Sequence, residues 1–194
     1  MVLVQVAENR MQASERTGSP YLIVAGDFVR TGGMDRCNYA LASYLADRGD
    51  QVHLASHRVA ETLLARPNVH MHRIPKPLNS YILGNPLIHR IGRKWARRIA
   101  AQGGRVVVNG GNCDWGDVNW LHHINVADPG RVSGSWPREV KDRISRRIWA
   151  EEERRIVPRA RLVIATCEKT SREAVSYLGV DPERIAIVYL GIDP

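Results

Sequence analysis

Residues able to do chemistry gather in two stretches. In GDFVRTGGMDRCNYALASYLADRG an apolar run ends at Asp27, and a glycine pair, Gly32 and Gly33, opens a segment of helical period. Glycines at a helix entrance let a ligand approach the backbone, and the free N–H groups and helix dipole there favour an anion such as a diphosphate. A tight turn alone would account for the pair equally well. The second stretch, residues 109–130, is NGGNCDWGDVNWLHHINVADPG, poor in aliphatic side chains and rich in Gly, Asn, Asp and His. His122 and His123 are adjacent, so on an extended segment one points inward and the other outward. Asp114 and Asp117 suit the hydroxyls of a ligand or the capping of a loop.

Other chemistries fit poorly. A dinucleotide site requires GxGxxG after the first strand and an acid ending the second, whereas the second strand here ends VHLASH. No Lys follows Gly33 as a P-loop demands. Cys37, Cys113 and Cys167 form no CxxC pair, Cys113 with His122 and His123 matches no common zinc spacing, and no serine lies in a nucleophile elbow.

Short apolar runs alternate with helical segments. Strands are expected at Tyr21–Phe28, QVHLAS from Gln51, NVHMHRI from Asn68, RVVVNG, VNWLHHI from Val118, ARLVIAT and RIAIVYLG. Helices are expected at Gly33–Arg48, with Met34, Cys37, Leu41, Tyr44 and Leu45 on its apolar face and Gly49 as cap, and at Val59–Arg66, Asn85–Ala101 and Pro137–Val157. A last helix, CEKTSREAVSYLG, closes at Gly179, and the EEERR run reads as a solvated face. This alternation predicts an α/β fold, a doubly wound parallel sheet of Rossmann-like type, with ligands at the carboxyl ends of the strands. One domain spans 21–190, with an extension at 1–20 (a short strand plus a polar connection) and the start of a linker at 191–194.

With 44% apolar residues in 194, the chain can bury a core, and 28 Lys plus Arg against 20 Asp plus Glu leave 28 − 20 = +8. Such a charge favours an anionic partner: nucleic acid, anionic lipid or a phosphorylated substrate. Nucleic-acid recognition needs a known module or aromatics interleaved on a basic face, and Trp115, Trp120 and Trp136 cluster near the histidine pair rather than within the basic stretch. Over residues 85–101, Leu87, Ile88, Ile91, Trp95 and Ile99 line one side, with Arg90, Arg93, Lys94, Arg97 and Arg98 around the rest. One apolar stripe cannot both cover a sheet and enter lipid, and covering the sheet is the simpler use. Scattered cysteines and no apolar run of about 20 residues point to the cytoplasm, with peripheral contact at the inner membrane face through 85–101 as the further option.

Asp27, the Gly32-Gly33 pair, LADRGDQVHLAS and the block CEKTSREAVSYLGVDPERIAIVYLGID together resemble the N-terminal half of family 4 glycosyltransferases, which have the GT-B fold. The resemblance runs from Tyr21 to Pro194. It implies transfer of a sugar from a nucleotide-diphosphate donor to an acceptor hydroxyl with retention at the anomeric carbon, without a metal or other cofactor. It also implies a C-terminal Rossmann-like domain that supplies most donor contacts, without which this half is inactive. By the same resemblance Gly32, Gly33 and Arg36 approach the donor phosphates, and Asp27 and His122 face the acceptor or the transferred sugar. His123, Asn125, Asp114 and Trp115 fall on the acceptor side, and Trp120 and Trp136 could stack on a sugar ring or pack the loop. Some relatives carry a second histidine where this chain has Asn125. The alternative is a stand-alone, non-enzymatic module for a phosphorylated or lipid-linked saccharide.

Overall fold

The computed structural model describes residues 18–127 and 136–190. Its elements run β1 (Tyr21–Val24), β2 (Asp27–Phe28), α1 (Met34–Asp47), β3 (Val52–Ser56), β4 (Arg58–Val59), α2 (Glu61–Leu64), β5 (Val69–Arg73) and α3 (Tyr81–Ala101). They continue with β6 (Arg105–Asn109), β7 (Val118–Leu121), α4 (Trp136–Ile156), β8 (Leu162–Ala165), α5 (Glu168–Leu178) and β9 (Ile185–Ile187). Seven strands form one parallel sheet in the order β5-β3-β1-β6-β7-β8-β9. The chain winds outward from β1 in one direction, then returns to β6 and winds in the other. That is the expected doubly wound α/β architecture, and its switch point lies between β1 and β6. The expected strand and connection at 1–20 (apart from Gly18–Pro20) and the linker at 191–194 lie outside the described residues.

Central β1 is apolar on both faces, as a strand covered on both sides must be. Ile23 packs into one core with Ala42 and Leu45 of α1, while Leu22 and Val24 pack into a second with Ile88, Ala96 and Ile99 of α3. A third core joins Leu121, Val163 and Ala174 around β7, β8 and α5. The apolar side of α3 therefore lies on the sheet, with Leu87, Ile91 and Trp95 at its margin. Helix α5 ends at Gly179 with φ +68°, and Val180 N–H reaches back to the Ala174 carbonyl, the left-handed closure glycine permits.

Three expectations change. The strand read as Tyr21–Phe28 breaks at Gly26, whose carbonyl accepts from His57 N–H and Ser56 Oγ, both at 2.9 Å. Asp27 and Phe28 then leave the sheet and pair with β4. The buried side of α1 is Asn38, Ala42, Leu45 and Ala46, so Met34 and Tyr44 are exposed rather than core. Finally, the EEERR run is not wholly a solvated face, because Glu153 is 2% exposed.

That burial follows from an unusual connection. Strands β6 and β7 are parallel, yet only residues 110–117 join them, with no helix, where a crossover usually takes a dozen residues or more. This strap runs between α3 and α4. Cys113 sits against Gly92 of α3, where a Cβ would stand 2.9 Å from Val24 Cγ1 and 3.2 Å from Cys113 Sγ. On the other side, a Cβ on Gly111 would meet Glu152 Cβ at 3.0 Å, and one on Gly116 would meet the Arg159 carbonyl at 3.0 Å. Small residues are required where three segments share a gap this narrow.

Candidate active site

At the carboxyl ends of β1, β6 and β7, the switch point, a cavity of about 660 Å³ opens. Its walls come from Gly26 after β1, Gly33 and Asp35 at the start of α1, Tyr81 and Asn85 of α3, Asn109–Asn112 at the end of β6, Trp120, His122, His123 and Asn125 around the end of β7, and Trp149, Glu152 and Glu153 of α4. Leu190, the last described residue, also lines it.

His122 lies just past β7, and neither ring nitrogen has a hydrogen-bond partner although both are buried. Its ring is 4.5 Å from that of Trp120, centroid to centroid. Burial holds its pKa down at about 4, so the imidazole is neutral at neutral pH. His123 is exposed and sits 3.1 Å from Asn125 Oδ1. Asn125 is fixed from behind by Glu153, which accepts from its backbone N–H at 2.8 Å and from Nδ2 at 2.5 Å. Burial raises the Glu153 carboxyl despite these bonds, and burial likewise raises Glu152, which is hydrogen-bonded by Asn85 Nδ2.

Asp27, expected at the site, is 2% exposed and lies beneath its edge. Its Oδ2 accepts from Arg58 at 2.9 Å and from Tyr81 Oη at 3.1 Å, while Oδ1 is buried without a partner. Tyr81 lines the cavity, with Lys76 Nζ 3.2 Å from its ring centroid, and burial together with Asp27 pushes its phenol up to about 12. Gly32 has φ +83°, a conformation that favours glycine, and Gly33 is the N-cap residue of α1 with no side-chain cap. Asp35 stands beside them: its carboxylate would be 3.8 Å from a Cβ on Gly32, and burial, then the charge of Asp27, raises its pKa. Arg36 is exposed on the first turn of α1.

The structure thus gathers Gly33, His122, His123 and Asn125 around one cavity, with Asp27 behind it. Asp114 and Trp115 are elsewhere. Both belong to the strap: Asp114 is shared by Arg155 at 3.5 Å and Arg159 at 3.3 Å, and Trp115 packs on the α3 core, where they border a separate hollow beyond the other end of the sheet. Trp136 is exposed. Sequence reading missed Tyr81, Asn85, Asn109, Trp149, Glu152 and Glu153. The spacing of 149, 152 and 153, i, i+3 and i+4 on one helical face, was the available signal for three of them.

The fold is shared with glycosyltransferases of the GT-B fold. Similar solved structures include WaaG, a glycosyltransferase involved in lipopolysaccharide biosynthesis (TM-score 0.60, 16% identity, covering 90% of this chain and 46% of that one). Sucrose-phosphate synthase from Thermosynechococcus elongatus is alike at TM-score 0.60 and 14% identity, covering 90% and 49%. A glycosyltransferase from Rickettsia africae matches at 0.53 and 13%, covering 91% and 44%. The chain therefore spans less than half the length of each. No curated protein matches it by sequence. The family model for Glycosyltransferase Family 4 matches residues 31–194, and by that match over most of its length the chain belongs to this family.

Proposed function

We propose that this chain is the acceptor-side half of a retaining glycosyltransferase, which transfers a sugar from a nucleotide-diphosphate donor to an acceptor hydroxyl without a metal and requires a C-terminal donor-binding domain. The observation that carries the reading is His122: a neutral imidazole with two unmatched buried nitrogens, lining a cavity at the switch point. Buried polar groups are almost always paired, so such a ring supports a ligand hydroxyl as its partner. Donor, retention and metal independence rest on family membership. Gly33, with open space at its Cβ position, gives the diphosphate an approach to the N-terminus of α1, and Arg36 adds positive charge nearby. In this reading the enzyme is cytoplasmic. Contact with an anionic membrane face is carried by charge alone, because the apolar side of α3 is taken by the sheet.

The test is a transfer assay on the protein joined to its second domain. His122→Ala should lower kcat on the order of 100-fold, as loss of one positioned hydrogen-bonding group does in a dry site. Unchanged kcat would remove His122 from the chemistry, and saccharide binding without any transfer by the complete protein would favour a binding module.

A further inference from the structure

Opposite the cavity, at the amino ends of β6, β7 and β8, lies a second hollow of about 630 Å³. Arg105, which borders the hollow, and Asn109, which borders the cavity, are the first and last residues of β6, a separation of roughly 13 Å at about 3.3 Å per residue.

Four guanidinium groups meet in the hollow from four separate segments: Arg93 of α3, Arg105, Arg159 just past α4, and Arg161 just before β8. Two carboxylates of the strap, Asp114 and Asp117, stand against them. Asp114 is shared between Arg159 at 3.3 Å and Arg155 at 3.5 Å, both longer than the roughly 2.7–2.9 Å of a tight charge-assisted bond. Asp117 accepts from Val106 N–H at 2.9 Å and holds Arg105 loosely, at 3.7 Å. Among the described residues no carboxylate pairs with half-buried Arg93 or exposed Arg161, and the Arg93 Nε is buried with no partner at all. The nearby carboxyl ends of α3 and α4 each add about half a negative charge, which leaves the hollow positive.

The frame is built without a ligand. Arg161 N–H donates to the carbonyls of Gly116 and Asp117 at 3.0 and 3.1 Å, which ties the start of β8 to the strap. A Cβ on Gly104 would collide with the Pro20 carbonyl, and one on Gly116 would stand 3.0 Å from the Arg159 carbonyl oxygen, so the floor admits no larger residue. Trp115 packs on the α3 core and also lines the hollow.

A guanidinium fork offers donors and no acceptor, and phosphate oxygens match it two at a time. We propose that this hollow is a second, non-catalytic site for a phosphate monoester, its oxygens held by Arg93 and Arg161, with Arg159 turning to it from Asp114 and the organic part lying against Trp115. The site does not depend on the glycosyltransferase reading. Residues 110–112 of the strap line the cavity and 114–117 line the hollow, so an occupant braces a segment that walls the other site.

The experiment titrates the chain calorimetrically with inorganic phosphate, ribose 5-phosphate, adenosine 5′-monophosphate and dioctanoyl phosphatidic acid. The esters should bind more tightly than inorganic phosphate; the ribose or nucleotide ester binding best assigns the site to a soluble metabolite, and phosphatidic acid binding best assigns it to a lipid headgroup. Arg93→Gln together with Arg161→Gln should weaken the esters by roughly tenfold or more, while Gly33→Val, at the start of α1, should change nothing. Asp114→Asn keeps the side-chain shape and releases Arg155 and Arg159, so it should tighten binding about threefold. That gain decides the matter even where the double variant unfolds. Absence of ester binding at about 1 mM, weaker binding in Asp114→Asn, or binding that survives the arginine changes and is lost in Gly33→Val overturns the proposal.

Discussion

Gly33 and Glu153 bound the same cavity and make opposite demands on substitution. Gly33 has φ −77°, ordinary for any residue, and a Cβ there meets nothing within 4 Å. Gly33→Val should therefore leave the melting temperature within a few degrees of the parent while placing methyls in the approach to α1. Transfer by the complete protein should be lost, and full activity would sink the assignment of this helix start to the donor. Glu153, itself 2% exposed, satisfies two donors of Asn125. Glu153→Ala leaves both unpaired and opens a void, a cost of about 2–4 kcal/mol that urea unfolding would measure; a loss under 0.5 kcal/mol would show that the carboxylate is not the anchor of the Asn125 loop. The histidine pair and glycine pair were legible in the sequence because they follow predicted strands and open a predicted helix, where loops carry ligand contacts. Glu153 was not, because EEERR carries no local mark of burial. What buries it is the strap at residues 110–117, a contact between segments some forty residues apart.

Helices and strands were legible through period and caps, down to Gly49 and Gly179, since local backbone preferences and burial agree there. Departures arise where tertiary contacts outweigh the local pattern, as at Gly26, where Ser56 and His57 capture the carbonyl and split the strand. One such contact carries a pH prediction. On β3, β5 and α3, His53 Nδ1 lies 2.9 Å from His72 Nε2, His72 stacks on Trp95 with centroids 3.4 Å apart, and His70 and Arg98 stand nearby. Burial, then the charges of His53, His70 and Arg98, depresses His72 from 6.5 to about 4. A depressed folded-state pKa means that stability is fully present above pH 6.5 and is lost as pH falls toward 4, because the unfolded chain takes up the proton first. Melting temperature should fall across that window, and His72→Gln, which cannot titrate, should give a flatter curve. His53, His89 and His122 shift in the same direction and Asp35, Glu152 and Glu153 in the opposite one, so the comparison with the variant reads His72 together with its partner His53. Parallel curves for parent and variant would refute the linkage.

At the scale of the whole molecule, charge is segregated. The net charge of +8 contrasts with a cavity wall whose described residues include no Lys or Arg. The excess lies outside, in exposed Arg90, Lys94 and Arg97 of α3 and in Arg143, Arg146 and Arg147 bordering a shallow concavity on α4. A basic exterior of this kind concentrates the chain on anionic surfaces. Vesicles containing about one third anionic phospholipid should bind the chain at low salt and release it as the Debye length shrinks from about 10 Å at 0.1 M to about 3 Å at 1 M. Replacing Arg90, Lys94 and Arg97 together by Gln should weaken vesicle binding by roughly 100-fold, on the order of 1 kcal/mol per basic group. Binding that persists at 1 M salt would mean that apolar surface enters the lipid. That outcome would conflict with the packing of Ile88 and Ile99, which are 2% and 1% exposed against the sheet and have no second face to offer.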